Sequence, residues 1–440
     1  MKRKSNPLIL LTGLWVMVLF TGLVSKRFTT GNLISYAKEA PKELLETGYG
    51  DENQTAAAVA AGANDFAFQL SAALAGTSGD ENLVCSPYSV WIPLAALVSA
   101  TDEPYRAELL DALNASGISD TDINNASSRM LYDLTKQRQK NSVNSDFYPY
   151  HNPLQIANAI FVDHNVTLKK DFARNFADYF RGTAMNVDFG SDDAVVAVNQ
   201  WASDHTEGLI TEIVQNFDAN TVAALANAIY FSNRWDREFD VNQTTEDIFY
   251  SPAGDTKAYY MRREGDEQIY YEDDKVQAIS LNFKTGGRLC IILPADGDAS
   301  KLMTTMTNEY YSRIQAGSAE ATGTLLLPRF SAENRMELKD TLTALGVPLF
   351  DEEKAPLTGG LIEEEYPLWL SGAIHKAVIE VDEKGTTAAA VTVLTMEAAA
   401  EVIPTERFEM ICNKPFVFVL SEDTYDGGQQ VLFTGIINQP

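Results

Sequence analysis

The apolar positions of this chain follow one period early on and another later. Phe66, Leu70, Ala73 and Leu74 fall at helical spacing, and Ser86-Pro87 opens a second apolar helix through Trp91, Leu94 and Leu97. The stretch 191–214 also predicts helix. Beyond it, the runs 223–231, 277–283, 288–293 and 324–327 are short, apolar and bounded by turn residues. So are 377–381, 416–420 and 431–437. Helices first and strands later, without regular βαβ alternation, predict an α+β domain with large mixed sheets.

At the N-terminus, Lys2, Arg3 and Lys4 precede an apolar run from Leu8 to Val24, and Ser25, Lys26 and Arg27 follow. A basic region before an apolar one is the pattern of an export signal. The run is 17 residues long, the lower limit of a membrane span. Residues 1–27 therefore read as a removed signal peptide or a retained anchor, and either places the remainder outside the cytoplasm. Residues 28–62 are polar, then Ala-rich, and read as a linker. Residues 63–440 carry no further Pro/Gly/Ser-rich break and no internal repeat, which favours one domain.

Composition narrows the function. The chain is 45% hydrophobic and 22% charged, as in a globular protein, and its formal net charge is −27. That acidity argues against nucleic acid as a partner and against a basic patch docking on anionic lipid. Cys85, Cys290 and Cys412 sit in apolar settings without metal-ligand spacing and read as small buried hydrophobes. No cofactor motif and no metal site is expected.

The segment from His375 to Phe416 is the most informative. Residues 378–381 alternate like a strand, 382–385 read as a turn, and the ten residues after Gly385 contain no charge, Pro or Gly. Small and β-branched side chains of this kind can join a sheet without clash. The alternate positions Thr386, Ala388, Ala390, Thr392, Leu394 and Met396 grow from small to large, as would suit a strand entering from one end. On composition alone, an ordinary Ala/Val-rich core strand or a helix is the simpler reading.

These residues resemble the reactive-centre loop of a serpin, and the resemblance covers 64–440. DEKGTTAAA at 382–390 is similar to the hinge of inhibitory members, and MICNKPFVFVL at 410–420 to the family's C-terminal signature. NLVCSPYS at 82–89, ANAIFVD at 157–163, VNQWASDHTEGLI at 198–210, LPRF at 327–330 and the closing FTGIINQP fall in the family's order. The pattern departs at SATDEPY, 99–105, and at Leu209 and Ser232, where basic residues are common.

The resemblance implies a serpin fold: helices packed on large mixed sheets with an exposed loop. It also implies a suicide-substrate inhibitor of a serine protease rather than an enzyme. Cleavage of the loop forms an acyl-enzyme, the hinge inserts as a new strand, and the tethered protease is distorted before hydrolysis. The hinge residues would be Glu383, Gly385, Thr386, Thr387, Ala388, Ala389 and Ala390. Counting along the family pattern puts the scissile bond at Ala399–Ala400, within Met396 to Val402, which suits elastase-like or subtilisin-like targets. Ser86, Ser89, Asn227 and His375 match the gate where strands part. Trp235 matches the loop's entry point, and Arg329 is positioned to pair with Glu383. No basic face for a heparin-like polymer is present, and a monomer is expected. The alternative is a non-inhibitory serpin acting as a binding or chaperone-type protein.

Overall fold

The computed structural model describes residues 52–134, 154–206, 208, 210–218, 221–365, 367–386, 407–424 and 428–440. The described residues begin with α1 (Glu52–Ser78), β1 (Leu83–Cys85), α2 (Pro87–Leu97), α3 (Tyr105–Ala112) and α4 (Asp120–Tyr132). There follow β2 (Leu154–Asp163), α5 (Lys170–Phe180), β3 (Gly182–Val187), α6 (Asp192–His205), β4 (Ala223–Phe231) and β5 (Asn233–Arg234). Next come β6 (Thr245–Phe249), β7 (Thr256–Glu272), β8 (Val276–Asn282), β9 (Arg288–Pro294), α7 (Ala299–Thr305) and α8 (Asn308–Gly317). The chain closes with β10 (Ala319–Pro328), β11 (Phe330–Glu337), α9 (Lys339–Ala344), β12 (Ala373–Val381), β13 (Gly385–Thr386), β14 (Arg407–Ile411), β15 (Phe416–Asp423) and β16 (Gln429–Ile437).

The expected α+β class with mixed sheets is what the chain adopts. A nine-stranded sheet runs β1-β16-β15-β9-β8-β7-β10-β14, with β6 beside β7. A seven-stranded sheet runs β3-β2-β4-β12-β13-β5, with β11 beside β12. α2 is apolar on every face and is buried along its whole length, as a helix of that composition must be.

Two expectations differ from the fold. The Ala-rich end of the presumed linker belongs to α1: Val59 and Ala63 are fully buried, and Gly62 lies so close to Asn114 that a Cβ would come within 2.3 Å of its carbonyl oxygen. Alanine is the strongest helix former, yet an Ala-rich helix shows no apolar stripe, so periodicity does not reveal it. The helix expected over 191–214 ends at His205. Past it, the Asn199 amide accepts from the backbone N–H groups of Ile213 (2.8 Å) and Val214 (3.0 Å) and donates to the Val214 carbonyl (2.8 Å), holding 210–218 as a non-helical strap.

The seven-stranded sheet has a fork at its centre. β4 and β12 are parallel neighbours, paired only from Leu225↔Ala373 to Ala228↔Lys376. Further along they carry no mutual pairing. At the open end Thr386 pairs antiparallel with Val381 of β12 and with Asn233 of β5. α6 lies over this sheet on a bed of small residues, Ala157, Ala159, Ala226 and Ala228, with Trp201 and Val198 packed down on it. Small side chains there let helix and sheet approach closely.

Candidate functional site

At the open end of the fork, the turn 382–385 forms as its sequence predicts. The Asp382 carboxylate accepts from the N–H groups of Lys384 (2.8 Å) and Gly385 (3.1 Å), a local side-chain closure typical of aspartate. Gly385 has φ +152°, and a Cβ there would lie 2.0 Å from the Asn233 carbonyl oxygen, so only glycine passes this point. Thr386 is buried, and its hydroxyl accepts from the Asn233 N–H at 3.2 Å.

Trp235 fixes the turn from below. Its indole N–H donates to the Asp382 carbonyl (2.8 Å), its backbone N–H donates to the Lys384 carbonyl (2.8 Å), and its ring stacks on Phe283 at 4.7 Å. The expected pair between Arg329 and Glu383 is present and bidentate: Nε donates to both carboxylate oxygens at 2.9 Å, and Nη2 donates to Oε1 at 2.6 Å. Thr244 donates to the same carboxylate at 2.5 Å. Burial alone would raise the Glu383 carboxyl, but these hydrogen bonds outweigh it and hold the group below the usual carboxylate range.

At the closed end, Ser86, Ser89, Asn227 and His375 come together as two half-networks. Ser86 N–H donates to His375 Nε2 (3.0 Å), Ser86 Oγ donates to the Leu432 carbonyl (2.7 Å), and Ser89 Oγ donates to the Ser86 carbonyl (2.9 Å). Separately, Asn227 Nδ2 donates to the Ala157 carbonyl (3.1 Å) and to Asn158 Oδ1 (2.7 Å). His375 and Asn227 face each other in register, yet His375 Nδ1 and Asn227 Oδ1 are buried without a hydrogen-bond partner among the described residues. Burial lowers the His375 imidazole to about 4, so it is neutral at neutral pH. Since Nε2 accepts, the proton sits on Nδ1. The halves therefore face each other with one donor and one acceptor unused.

Sequence reasoning missed Asn158 and Thr244. Asn158 had a signal: the quartet Ala-Asn-Ala-Ile occurs at 157–160 and again at 226–229, and antiparallel register sets Asn158 opposite Asn227. An amide in an otherwise apolar strand points to a buried partner. Thr244 lies 139 residues from Glu383 and carries no local signal.

The three cysteines are free and buried, and burial pushes the Cys290 thiol up to about 11. Among the described residues, Asp163, His164 and Asp188 bring three candidate ligand atoms within 4.8 Å of one another, on half-buried to exposed side chains. No described helix is long and apolar enough to cross a membrane. Thr387, Ala388, Ala389, Ala390, the expected bond at Ala399–Ala400 and the run from Leu8 to Val24 lie outside the described residues.

Comparison with known proteins gives one answer. Alpha-1-antiproteinase of Callosciurus caniceps is 29% identical over 416 residues, 93% of this chain and 94% of its own length. Alpha-1-antitrypsin of Meriones unguiculatus is 30% identical over 384 residues, 86% of this chain and 89% of its own. The native state of tengpin, a thermophilic serpin, superposes with a TM-score of 0.76 at 25% identity, covering 90% of this chain and 96% of tengpin. Human kallistatin matches in fold, with a TM-score of 0.73 at 23% identity over 88% of this chain and 99% of its own. The family model for serpins, serine protease inhibitors, matches residues 61–440, which establishes that the chain belongs to the serpin family.

Proposed function

We propose that this serpin inhibits a serine protease as a suicide substrate, by cleavage beyond the hinge and insertion of the cleaved segment between β4 and β12. The observation that carries the reading is the fork itself, with Gly385 and Thr386 already seated as the first residues of an antiparallel strand at its open end. The register supports continuation of that strand. Counting onward from Thr386 against β12, and again against β5 and β4, brings the same residue, Thr392, beside both His375 and Asn227. The two flanking frames agree, so a continuous strand fits between them without a bulge.

The residues 386–395 favour entry, because none is charged and none is proline. The protein supplies no catalytic group; the protease supplies the nucleophile, and this chain supplies the ester it cannot finish hydrolysing. A scissile bond at Ala399–Ala400 suits a shallow S1 pocket, hence an elastase-like or subtilisin-like target. The names of the relatives, antiproteinase and antitrypsin, agree with inhibition. The basic and apolar N-terminal pattern supports export, with the domain secreted or held outside the cell membrane as a monomer.

Incubation with pancreatic elastase, then a denaturing gel and mass analysis, tests this. A complex that survives denaturation, with a released peptide beginning near Ala400, is the expected result. Clean cleavage with no complex, repeated with subtilisin, would favour the non-inhibitory reading.

A further inference from the structure

β2 and β3 are parallel neighbours whose ladder runs to Asp163↔Val187, and the His164 N–H, donating to the Val187 carbonyl at 2.8 Å, carries it one step further. His164 and Asp188 therefore leave the sheet side by side. A turn follows, closed by the Val166 N–H on the Asp163 carbonyl (3.1 Å), and the Asp163 carboxylate comes round to the same point. Its Oδ2 lies 3.6 Å from His164 Nδ1, and Asp188 Oδ1 lies 3.7 Å from the same nitrogen. Both carboxylates are held from behind. Asp163 Oδ1 accepts from the backbone N–H (3.0 Å) and the side-chain amide (2.8 Å) of Asn165, which leaves Oδ2 toward the imidazole; Asp188 Oδ1 accepts from the Gly190 N–H at 3.0 Å. The cluster lies where β4 begins, with the Asp163 N–H donating to the Val222 carbonyl (2.8 Å), at the far end of that strand from the hinge.

We propose that Asp163, His164 and Asp188 bind a divalent ion of the zinc class, with His164 Nδ1, Asp163 Oδ2 and Asp188 Oδ1 as ligands and water in the remaining positions. The two separations from Nδ1 are too long for hydrogen bonds: an imidazolium paired with a carboxylate closes to about 2.7–2.9 Å. They are close to what one ion needs. With Zn–N and Zn–O lengths of about 2.0–2.2 Å, tetrahedral ligands lie about 3.3–3.6 Å apart, so each has to close by only a few tenths of an ångström. One imidazole nitrogen with two carboxylate oxygens selects zinc, cobalt or nickel over calcium and magnesium, which prefer oxygen alone. The side chains are 18% exposed at Asp163, 42% at His164 and 54% at Asp188, so water has room to complete the shell. The ion also reaches α6. The Asp188 carbonyl accepts from the Ser191 N–H (3.0 Å), and Ser191 caps α6, its Oγ accepting from the Asp193 N–H (3.2 Å). A bound ion thus ties the end of β2 to the segment that starts α6, across the edge of the seven-stranded sheet. Because the three ligands meet only in the folded chain, binding stabilises that form by mass action. None of this depends on the insertion reading.

The test titrates zinc chloride calorimetrically into the full chain, first stripped of metal with a chelator, and adds cobalt(II) separately as a spectroscopic stand-in. One equivalent of zinc is expected to bind, with a visible cobalt band. At zinc about a hundredfold above the dissociation constant, the thermal midpoint should rise by about 3 °C. Asp163→Asn and Asp188→Asn keep the shape and the hydrogen bonds from behind, and each should weaken zinc by about tenfold or more. His164→Ala should abolish stoichiometric binding and the cobalt band, while His205→Ala, on α6, keeps both. In chelator the variants should share the parent's midpoint, since the substituted groups stand at the surface. Should His164→Ala fail to fold, the two asparagine variants carry the test. A parent that binds no zinc at millimolar concentration, or variants that bind it as tightly as the parent, would overturn the site. Calcium bound as tightly as zinc would overturn the assigned class of ion.

Discussion

Replacing Thr392 by valine isolates one consequence of the register. In the native state His375 presents an Nδ1–H, and Asn227 presents an Oδ1, each buried without a partner among the described residues. In the proposed inserted form, continuing the register of Thr386 would bring the Thr392 side chain between these two residues. A hydroxyl can accept from the imidazole and donate to the amide oxygen, joining the two half-networks. Each bond contributes about 1 kcal/mol net, and a buried polar atom left unsatisfied costs about 1–3 kcal/mol. Thr392→Val keeps the shape and removes the hydroxyl, so the cleaved form should lose about 2–4 kcal/mol, taking both bonds together. Guanidinium unfolding of the uncleaved and cleaved forms, each compared with the parent, reads this directly. The uncleaved variant should match its parent, and Thr392→Ser should recover most of the loss. An unchanged midpoint for cleaved Thr392→Val would refute the assigned register.

Two further predictions follow from groups at the ends of the fork. The His375 imidazole is lowered by burial to about 4 from an ordinary value of 6.5. Between those values the unfolded chain binds the proton and the folded one does not, so native stability falls as pH drops from about 6.5 to about 4, by about 3 kcal/mol in all. Unfolding midpoints at pH 7 and 4.5 should differ less in His375→Asn than in the parent; an equal difference would count against this assignment. Arg329→Ala leaves the 5%-exposed Glu383 carboxylate with Thr244 as its remaining side-chain partner. The half-exposed arginine makes the cost smaller than for a fully buried pair, about 2 kcal/mol of native stability by thermal or guanidinium unfolding. Arg329→Lys should restore only part of it, because a point charge cannot reproduce the fork geometry.

Much of this arrangement was legible in the chain. The strand 223–231 was readable to the residue because its apolar run is short and bounded, and the turn at 382–385 because Asp and Gly carry their own backbone chemistry. The Arg329–Glu383 pair was readable only through family resemblance, since 54 residues separate its members. Three features resisted. The start of α1 was hidden because alanine favours helix without marking a face. The end of α6 was hidden because the side chain of Asn199 captures backbone groups some 14 residues onward, which no local pattern announces. The division of Ser86, Ser89, Asn227 and His375 into two half-networks depends on which ring nitrogen meets Ser86, and that is set by three-dimensional approach alone.

The fork also has a consequence for chain topology. β4 and β12 run parallel, and parallel neighbours ordinarily need a crossover connection between them. A segment that follows β12 through a tight turn, however, enters as the second arm of a hairpin, antiparallel to both neighbours. The proposed insertion would exchange one short parallel ladder for two antiparallel ones, with no loop threaded and no strand reordered. Under the proposed insertion the sheet would change while the protein remained folded, and once both ladders closed no free edge would be left from which the new strand could readily peel away.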